Sequence, residues 1–502
     1  MENLLALFQN LFEYMTNFNI VLFMLGATAL GVIIGALPGL TATMGIALLT
    51  GLTYNVPLEY TFTILMGVYV GAIYGGSVSA ILLNIPGTAS AAATALDGHQ
   101  LAIQGKAETA IKVTRLASII GTFIGVIALV LLSPPLTKIA LKFTSPEYFM
   151  LALFGVLICG SIAAEDLSIK GWIGGFIGIL IAFVRLDDLE SIPRFTYGNF
   201  TLFSGIAIIP AMIGFYALPE VIKAFAREQS FDVSEAKDKI KADENPFKIV
   251  FSKLRVIIQS ALIGVGIGAL PGVGEDVAAW VSYDTAKKTS KDKDKFGTGC
   301  YEGAIAPEVG NNAAIGGALI PLLTLGVPGS PPAAVLLGAL TLHGIRPGPM
   351  INIESPGFIS EMAALLMLSV IALLIVGVIL AKPMTKILKV PTVYLMPIVA
   401  ALSVIGAYAI NLSRFDLMMV FIFGVLGYIL SKMKYSPAPI VLGLILGNMI
   451  DVMFRRTLIV NNGSFLNFVN RPIALIFLVL ILFTITSQII TTFKKNNKKN
   501  IA

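Results

Sequence analysis

Charge is scarce in this chain of 502 residues. Asp, Glu, Lys and Arg together supply 13%, about half of the roughly 25% usual in a soluble domain. So few charges cannot solvate the surface of a chain that is 56% hydrophobic, and lipid is the expected solvent. Cysteine and histidine are nearly absent, with two of each. Cys159 and Cys300 lie in or beside apolar segments far apart, giving neither a disulfide framework nor metal-ligand spacing. With only His99 and His343, a histidine metal site or a catalytic triad has no material. No basic n-region opens the chain, so no cleaved signal peptide is expected. No G-x-x-x-x-G-K-[ST] phosphate loop occurs. The net charge of +6 resides in short loops between apolar runs. There it orients a membrane protein and is no nucleic-acid signal.

What is present is a series of apolar runs, many longer than the ~18 residues of a membrane span. They fall at about 20–36, 41–53, 60–83, 115–132, 146–163, 170–184 and 203–220, and again at 253–269, 273–286, 301–326, 361–381, 391–411, 414–431, 436–454 and 472–490. The one long hydrophilic stretch, 227–248, divides the two series. The expected fold class is therefore an all-α polytopic membrane protein. Glycine (48 residues) and proline (25) are abundant, as where membrane helices pack closely or are broken.

The halves echo each other. IGALPG at 34–39 recurs at 267–272, each time closing the first long apolar run of its half. Gly75-Gly76 precedes IPGT at 85–88, and Gly316-Gly317 precedes VPGS at 327–330. The first pair of breaks is offset by 233 (38 against 271) and the second by 242 (86 against 328). The extra nine residues fit the polar insertion 287–295. No Lys or Arg precedes Lys106, which places the N-terminus and the 53–59 loop outside. The corresponding segments of the second half, 237–255 and 287–295, are basic and fall in the cytoplasm. The basic loops 106–115, 382–389 and 432–434 and the C-terminal tail also fall inside, and the acidic 186–190 loop outside. Arg455 and Arg456 fit this scheme worst. Equivalent loops on opposite sides make the repeats inverted, a common plan of secondary transporters. The expected division is 1–225 as first repeat, 226–247 as cytoplasmic linker, 248–456 as second repeat with re-entrant hairpins in both, and 457–502 as an extra helix with a basic tail.

Each Pro-Gly pair ends a helix inside an apolar run and frees backbone polar groups. At membrane depth such groups line a cavity or are buried in protein. A half-helix starting after the break offers free N–H groups to an anion. Pro38, Gly39, Thr41, Ser77, Asn84, Pro86, Gly87, Thr88, Ser90, Pro271, Gly272, Pro328, Gly329 and Ser330 are thus the candidate substrate-binding residues. Thr41, Thr88, Ser90 and Ser330 are placed to cap the new helices. Ionisable or amide groups in apolar surroundings are costly and point to function. Glu275, Asp276, Glu308, Asn311 and Asn312 are the candidates for ion coupling, their oxygens suiting sodium or a proton. Glu275 and Asp276 serve equally as first-turn complements to a helix dipole. Asp97-Gly98 reads as a turn. Trp172 and Trp280 read as interface anchors or packing residues.

These motifs resemble the large membrane subunit of the tripartite tricarboxylate transporter family. The stretches that carry the resemblance are GALPG at 35–39 and 268–272, YGGSVSAILLNIPGT at 74–88, DGHQ at 97–100, PEVGNN at 307–312, LGVPGS at 325–330 and GIRPG at 344–348. The resemblance implies a translocating subunit in a bacterial inner membrane; the charge distribution above puts its N-terminus outside and its C-terminus in the cytoplasm. It implies a small four-helix membrane subunit and a periplasmic solute-binding protein as partners. It also implies uptake of carboxylates such as citrate, driven by an ion gradient. The competing readings are a partner-independent carrier or antiporter and, more remotely, an intramembrane enzyme, for which no nucleophile and base stand together in the sequence.

Overall fold

In the computed structural model the described residues are 2–162, 168–226, 244–388 and 392–499. Most of the hydrophilic connection, 227–243, lies outside them. The elements are α1 (Glu2–Thr16), α2 (Phe18–Ala36), α3 (Ala42–Leu52), α4 (Leu58–Leu83), α5 (Ala91–Ile103), α6 (Ala107–Ala140), α7 (Ser145–Ile162), α8 (Ser168–Ala182), a two-strand ribbon β1 (Arg185–Leu186) and β2 (Pro193–Arg194), and α9 (Ile208–Ala226). After the connection come α10 (Pro246–Phe251), α11 (Leu254–Gly268), α12 (Gly274–Thr289), α13 (Tyr301–Leu325), α14 (Pro331–Leu342), α15 (Ile351–Glu354), α16 (Phe358–Ile379), α17 (Ala381–Ile387), α18 (Thr392–Asn411), α19 (Arg414–Lys432), α20 (Pro437–Val460), α21 (Asn467–Asn470) and α22 (Pro472–Lys499). Among the described residues, seven helices are long and apolar enough to cross a membrane: α2, α4, α6, α16, α19, α20 and part of α22. The chain is an all-α polytopic membrane protein.

Two compact units emerge. The first comprises 1–137, 220–270 and 274–412, and the second 138–219, 271–273 and 413–502. Within the first unit the repeat is structural as well as sequential. Helix, break, helix, helix, break, helix describes both α2–α5 and α11–α14. A side chain at Gly31 would strike Val68 and one at Gly35 would strike Ala72; likewise Gly264 meets Gly310 and Gly268 meets Ala314. Gly75 lies on the Val32 carbonyl and Gly317 on that of Val265, while Gly87 closes onto Gly35 and Gly329 onto Gly268. Each pair in the second half repeats one in the first, shifted by 233 on the leading helix and 242 on the trailing one. Between the halves, α3 packs on α14 and α5 on α12, the exchange that a two-fold relation produces.

The helix ends follow from local chemistry. Thr41 accepts the Met44 N–H at 3.2 Å and caps α3, and Ser330 accepts that of Ala333 at 3.3 Å and caps α14. Ser90, expected to cap α5, makes no capping bond, because it is itself helical and its hydroxyl sits 3.1 Å from that of Thr88. Asn84 ends α4 in the left-handed conformation (φ 55°), and Gly326 ends α13 in the same way (φ 71°); asparagine and glycine are the residues that tolerate it. Several helices were not legible as apolar runs, α5 and α14 among them. α5 and α14 have 13 and 12 residues, about 20 Å at 1.5 Å per residue and short of a ~30 Å hydrocarbon core. Asp97-Gly98 is no turn but the middle of α5, where Gly98 leaves room for Ile81.

In the second unit, α7 packs on α8, α20 and α22, and α8 on α20. A phenylalanine cluster around Phe149, Phe154, Phe454, Phe468 and Phe477 fills the space between α7, α20 and α22. Trp172 packs there too, its Nε1 donating to the Leu157 carbonyl (3.0 Å) and Ser161 hydroxyl (2.9 Å). Arg455, the poorest fit to the charge scheme, lies inside α20 and is neutralised. It pairs with Asp187 and with Asp451 (3.3 Å), while Arg194 holds Asp187 and Asp451 at 2.9 Å each. The hydrogen bond from Arg455 holds the Asp187 carboxyl well below the usual carboxylate range, helped by the Leu189 N–H and the Arg194 charge.

Two outcomes are expected. Gly35→Val or Gly268→Val places a side chain on a neighbouring backbone and costs about 3 kcal/mol, the upper end for overpacking, whereas Gly26→Ala meets nothing and leaves thermal unfolding of the solubilised protein unchanged. The Asp187 carboxyl titrates lower folded than unfolded, so its stabilisation is present above the unfolded value of about 3.9 and is lost as pH falls through the folded one. The melting temperature is expected to fall below about pH 4, and Asp187→Asn to lower it at neutral pH and to flatten the acid limb.

Candidate functional site

α13 is the most enclosed element of the first unit, buried from Glu302 to Leu325. α6 approaches it closely because Gly121 lies on Val309 and Gly125 on Ala313 and Gly316. This brings hydroxyls from three helices onto one carboxylate. Glu308, fully buried, accepts at Oε1 from Ser77 of α4 and from Thr94 of α5 (2.5 Å), and at Oε2 from Ser118 of α6 (2.8 Å). Among the described residues it has no Lys or Arg within ion-pair distance. Asn312 donates to the Glu308 carbonyl (2.9 Å) and to Asn311 Oδ1 (2.7 Å), and its own oxygen accepts from Thr122 (3.3 Å). Asn311 is buried, and among the described residues its Nδ2 has no acceptor.

The arrangement admits two chemistries. A carboxylate that keeps its charge at zero exposure needs compensation beyond neutral donors. A proton on Glu308 would turn one hydroxyl from donor to acceptor. A hard cation would take the carboxylate and hydroxyl oxygens as ligands.

A second buried carboxylate stands at the start of α12. Glu275, 3% exposed, accepts from the Tyr69 hydroxyl of α4, which lies 2.9 Å from Ser330 Oγ. Gly274 precedes it with φ +74°, and a side chain there would press on Ser330 at 3.1 Å. Asp276 is exposed and faces the Ser90 backbone N–H.

The remaining expected residues are distributed as follows. Pro38, Gly39 and Thr41 are half-buried between α2 and α3; Gly39 has φ +88° and faces Glu220 and Met396. Asn84 and Pro86 are exposed, while Gly87, Thr88 and Ser90 are buried beside Gly76 and Ser79. Pro328, Gly329 and Ser330 are buried in the first unit. Pro271 and Gly272 belong to the second unit, where Gly272 packs on Cys159 and Leu442. Ser77, expected at an anion, is bonded to Glu308 and so joins the coupling candidates.

Sequence reasoning missed Tyr69, Thr94, Ser118 and Thr122. A signal was available for two of them, because Thr114, Ser118 and Thr122 recur every fourth residue and line one face of α6. Asp97 was misread. Its Oδ1 accepts the N–H groups of Gly297 (2.9 Å), Gly299 (3.0 Å) and Cys300 (2.7 Å), and Oδ2 accepts from Tyr283 (2.9 Å). The buried side chain thereby organises the loop that starts α13. Asp97→Ala leaves these donors unpaired and is expected to cost about 3 kcal/mol or more, measured as a lowered melting temperature, with Asp97→Asn intermediate.

Residues 21–442 match the Tripartite tricarboxylate transporter TctA family. A protein of Agrobacterium vitis described as an "Uncharacterized 52.8 kDa protein in TAR-I ttuC' 3'region" is 35% identical over 462 residues, 92% of this chain and 91% of the relative. Another from the same organism, an "Uncharacterized protein in TAR-II ttuC' 3'region", is 38% identical over 208 residues, 41% of this chain and 86% of the relative. No solved structure matches. With its family match spanning α2 to α20 and a full-length relative at this identity, the chain belongs to the tripartite tricarboxylate transporter TctA family.

Proposed function

We propose that the protein is an ion-gradient-driven carrier of small carboxylates such as citrate. It works as the large membrane subunit beside a small four-helix membrane subunit and a periplasmic solute-binding protein, in a bacterial inner membrane with its N-terminus outside. Membership in a tripartite tricarboxylate transporter family supports the substrate class and the partners. The single observation that carries the coupling mechanism is the Glu308 cluster. A fully buried carboxylate from the second repeat is held by hydroxyls of α4, α5 and α6, with no basic partner among the described residues.

In this reading Glu308, with Asn311 and Asn312, takes the coupling ion, sodium or a proton. Glu275 and Asp276 form a second acidic station at the start of α12. The anion is met by the groups freed at the breaks: Pro38, Gly39 and Thr41; Asn84, Pro86, Gly87, Thr88 and Ser90; Pro328, Gly329 and Ser330. The second unit's Pro271 and Gly272 are left out of this set. The inverted repeats exchange conformations, so that the site opens to each side in turn. No catalytic step is assigned to the chain.

Uptake of labelled citrate and a dicarboxylate panel into vesicles carrying all three components, with sodium and proton gradients imposed separately, tests the proposal. Saturable uptake that follows one gradient and vanishes without this chain is expected. Glu308→Gln is expected to lower gradient-driven uptake at least about tenfold, equivalent to about 1.4 kcal/mol, while citrate counterflow survives. Uptake by Glu308→Gln that still follows the gradient at the wild-type rate would remove Glu308 from the coupling role.

A further inference from the structure

We propose that Arg115 of α6 is the residue that grips a carboxylate group of the transported anion, an inference that rests on the carboxylate reading above. The half-buried arginines of the second unit are each held by an acid: Arg185 by Asp188, Arg194 and Arg455 by Asp187 and Asp451, and Arg471 by Glu147. Arg115 is the exception among the described residues. It is half-buried, its Nε is fully shielded without an acceptor, and it has no ion pair, hydrogen bond or ring contact there. A shielded guanidinium donor without a partner costs free energy in a folded protein. Five donors in a rigid fork fit a carboxylate in bidentate fashion.

Its position suits the role. Arg115 lies eight residues into α6, about 12 Å along the helix, and one turn before Ser118, whose hydroxyl holds Glu308. Tyr74 is within electrostatic reach of both Arg115 and Glu308. Glu308 is already occupied by three hydroxyls and does not close an ion pair with the arginine. On the other flank Gly377 of α16 leaves the stem its space, since a Cβ there would stand 2.5 Å from Arg115 Cδ. An anion on Arg115 therefore shares α6 with Ser118, one of the hydroxyls that hold the proposed cation group. Each charge then lowers the cost of bringing the other into the same low-dielectric space, which is a physical basis for obligatory co-transport.

The same guanidinium chemistry would hold a lipid phosphate, and the test separates the two. The purified full-length chain is placed in nanodiscs of phosphatidylcholine, or of phosphatidylcholine with phosphatidylglycerol. Its melting temperature is followed against citrate and succinate. Citrate is expected to raise the melting temperature of the wild type in neutral lipid. Arg115→Gln is expected to weaken the half-saturating citrate concentration roughly 10–100-fold, the range of one charged hydrogen-bonded pair, with little change in the melting temperature without citrate. Arg115→Lys, which keeps the charge and loses the fork, falls between. Gly377→Ala displaces the stem, leaves the charge, and weakens citrate several-fold. If Arg115→Gln does not fold, Gly377→Ala decides, and an unchanged citrate response there overturns the assignment. An Arg115→Gln protein that keeps the wild-type citrate response overturns it as well. So does a response to phosphatidylglycerol that Arg115→Gln abolishes while citrate binding is untouched, which makes the site a lipid-phosphate site. A wild-type chain that responds to neither acid overturns the carboxylate reading, and this inference falls with it.

Discussion

Two helix backbones touch only where neither carries a side chain between them, and the first unit depends on that contact. Lipid offers little hydrophobic drive for helices to associate, so close packing through small residues supplies the attraction. Gly31 and Gly35 let α2 lie on α4, and Gly264 and Gly268 let α11 lie on α13. The same glycines receive the breaks, since Gly87 closes onto Gly35 and Gly329 onto Gly268. The interrupted segments are thus tied to the packed pairs, and the hydroxyls that follow each break are delivered to fixed places. Thr41 and Ser330 then cap the short helices, satisfying backbone groups for which lipid has no partner.

On that frame the acidic residues are bound across the repeats. Glu308 comes from α13 and its hydroxyls from α4, α5 and α6; Glu275 comes from α12 and its tyrosine from α4. Any movement between halves that changes these distances changes the free energy of holding charge on the two carboxylates. In the proposed carrier, ion binding and conformation are linked through these same bonds.

The spans and the repeat were legible because both are written in pattern: long apolar runs, and IGALPG twice. The family was legible from its motifs for the same reason. α5 and α14 were not, because helices of 13 and 12 residues fall short of a membrane span, and α5 carries Asp97, His99 and Gln100 among its alanines. Asp97-Gly98 looked like a turn because that pair marks turns locally; only the fold shows that the glycine is there for Ile81 and the aspartate for the loop before α13. Glu308, Asn311 and Asn312 were visible as polar residues in apolar surroundings. Their hydroxyl partners lie up to 231 residues away, and no local signal pairs them. Arg455 read as a charge in a loop because nothing local shows that it lies within α20, and its partner Asp187 is 268 residues away. Asn84 looked like a ligand on composition; its left-handed backbone gives it a reason to be there whatever it binds.

The Asp97 side chain has a mechanical consequence. Through four donors it fastens the middle of α5, in the first repeat, to the loop before α13 and to α12, in the second. A tie of that kind makes α5 and the head of α13 travel as one piece, so relative motion has to be taken up elsewhere in the first unit. α3 and α14 also meet across the repeats, but among the described residues no buried carboxylate fastens them together as Asp97 fastens α5. A rocking motion of the proposed carrier would thus carry α5 and the head of α13 together, about a single buried aspartate.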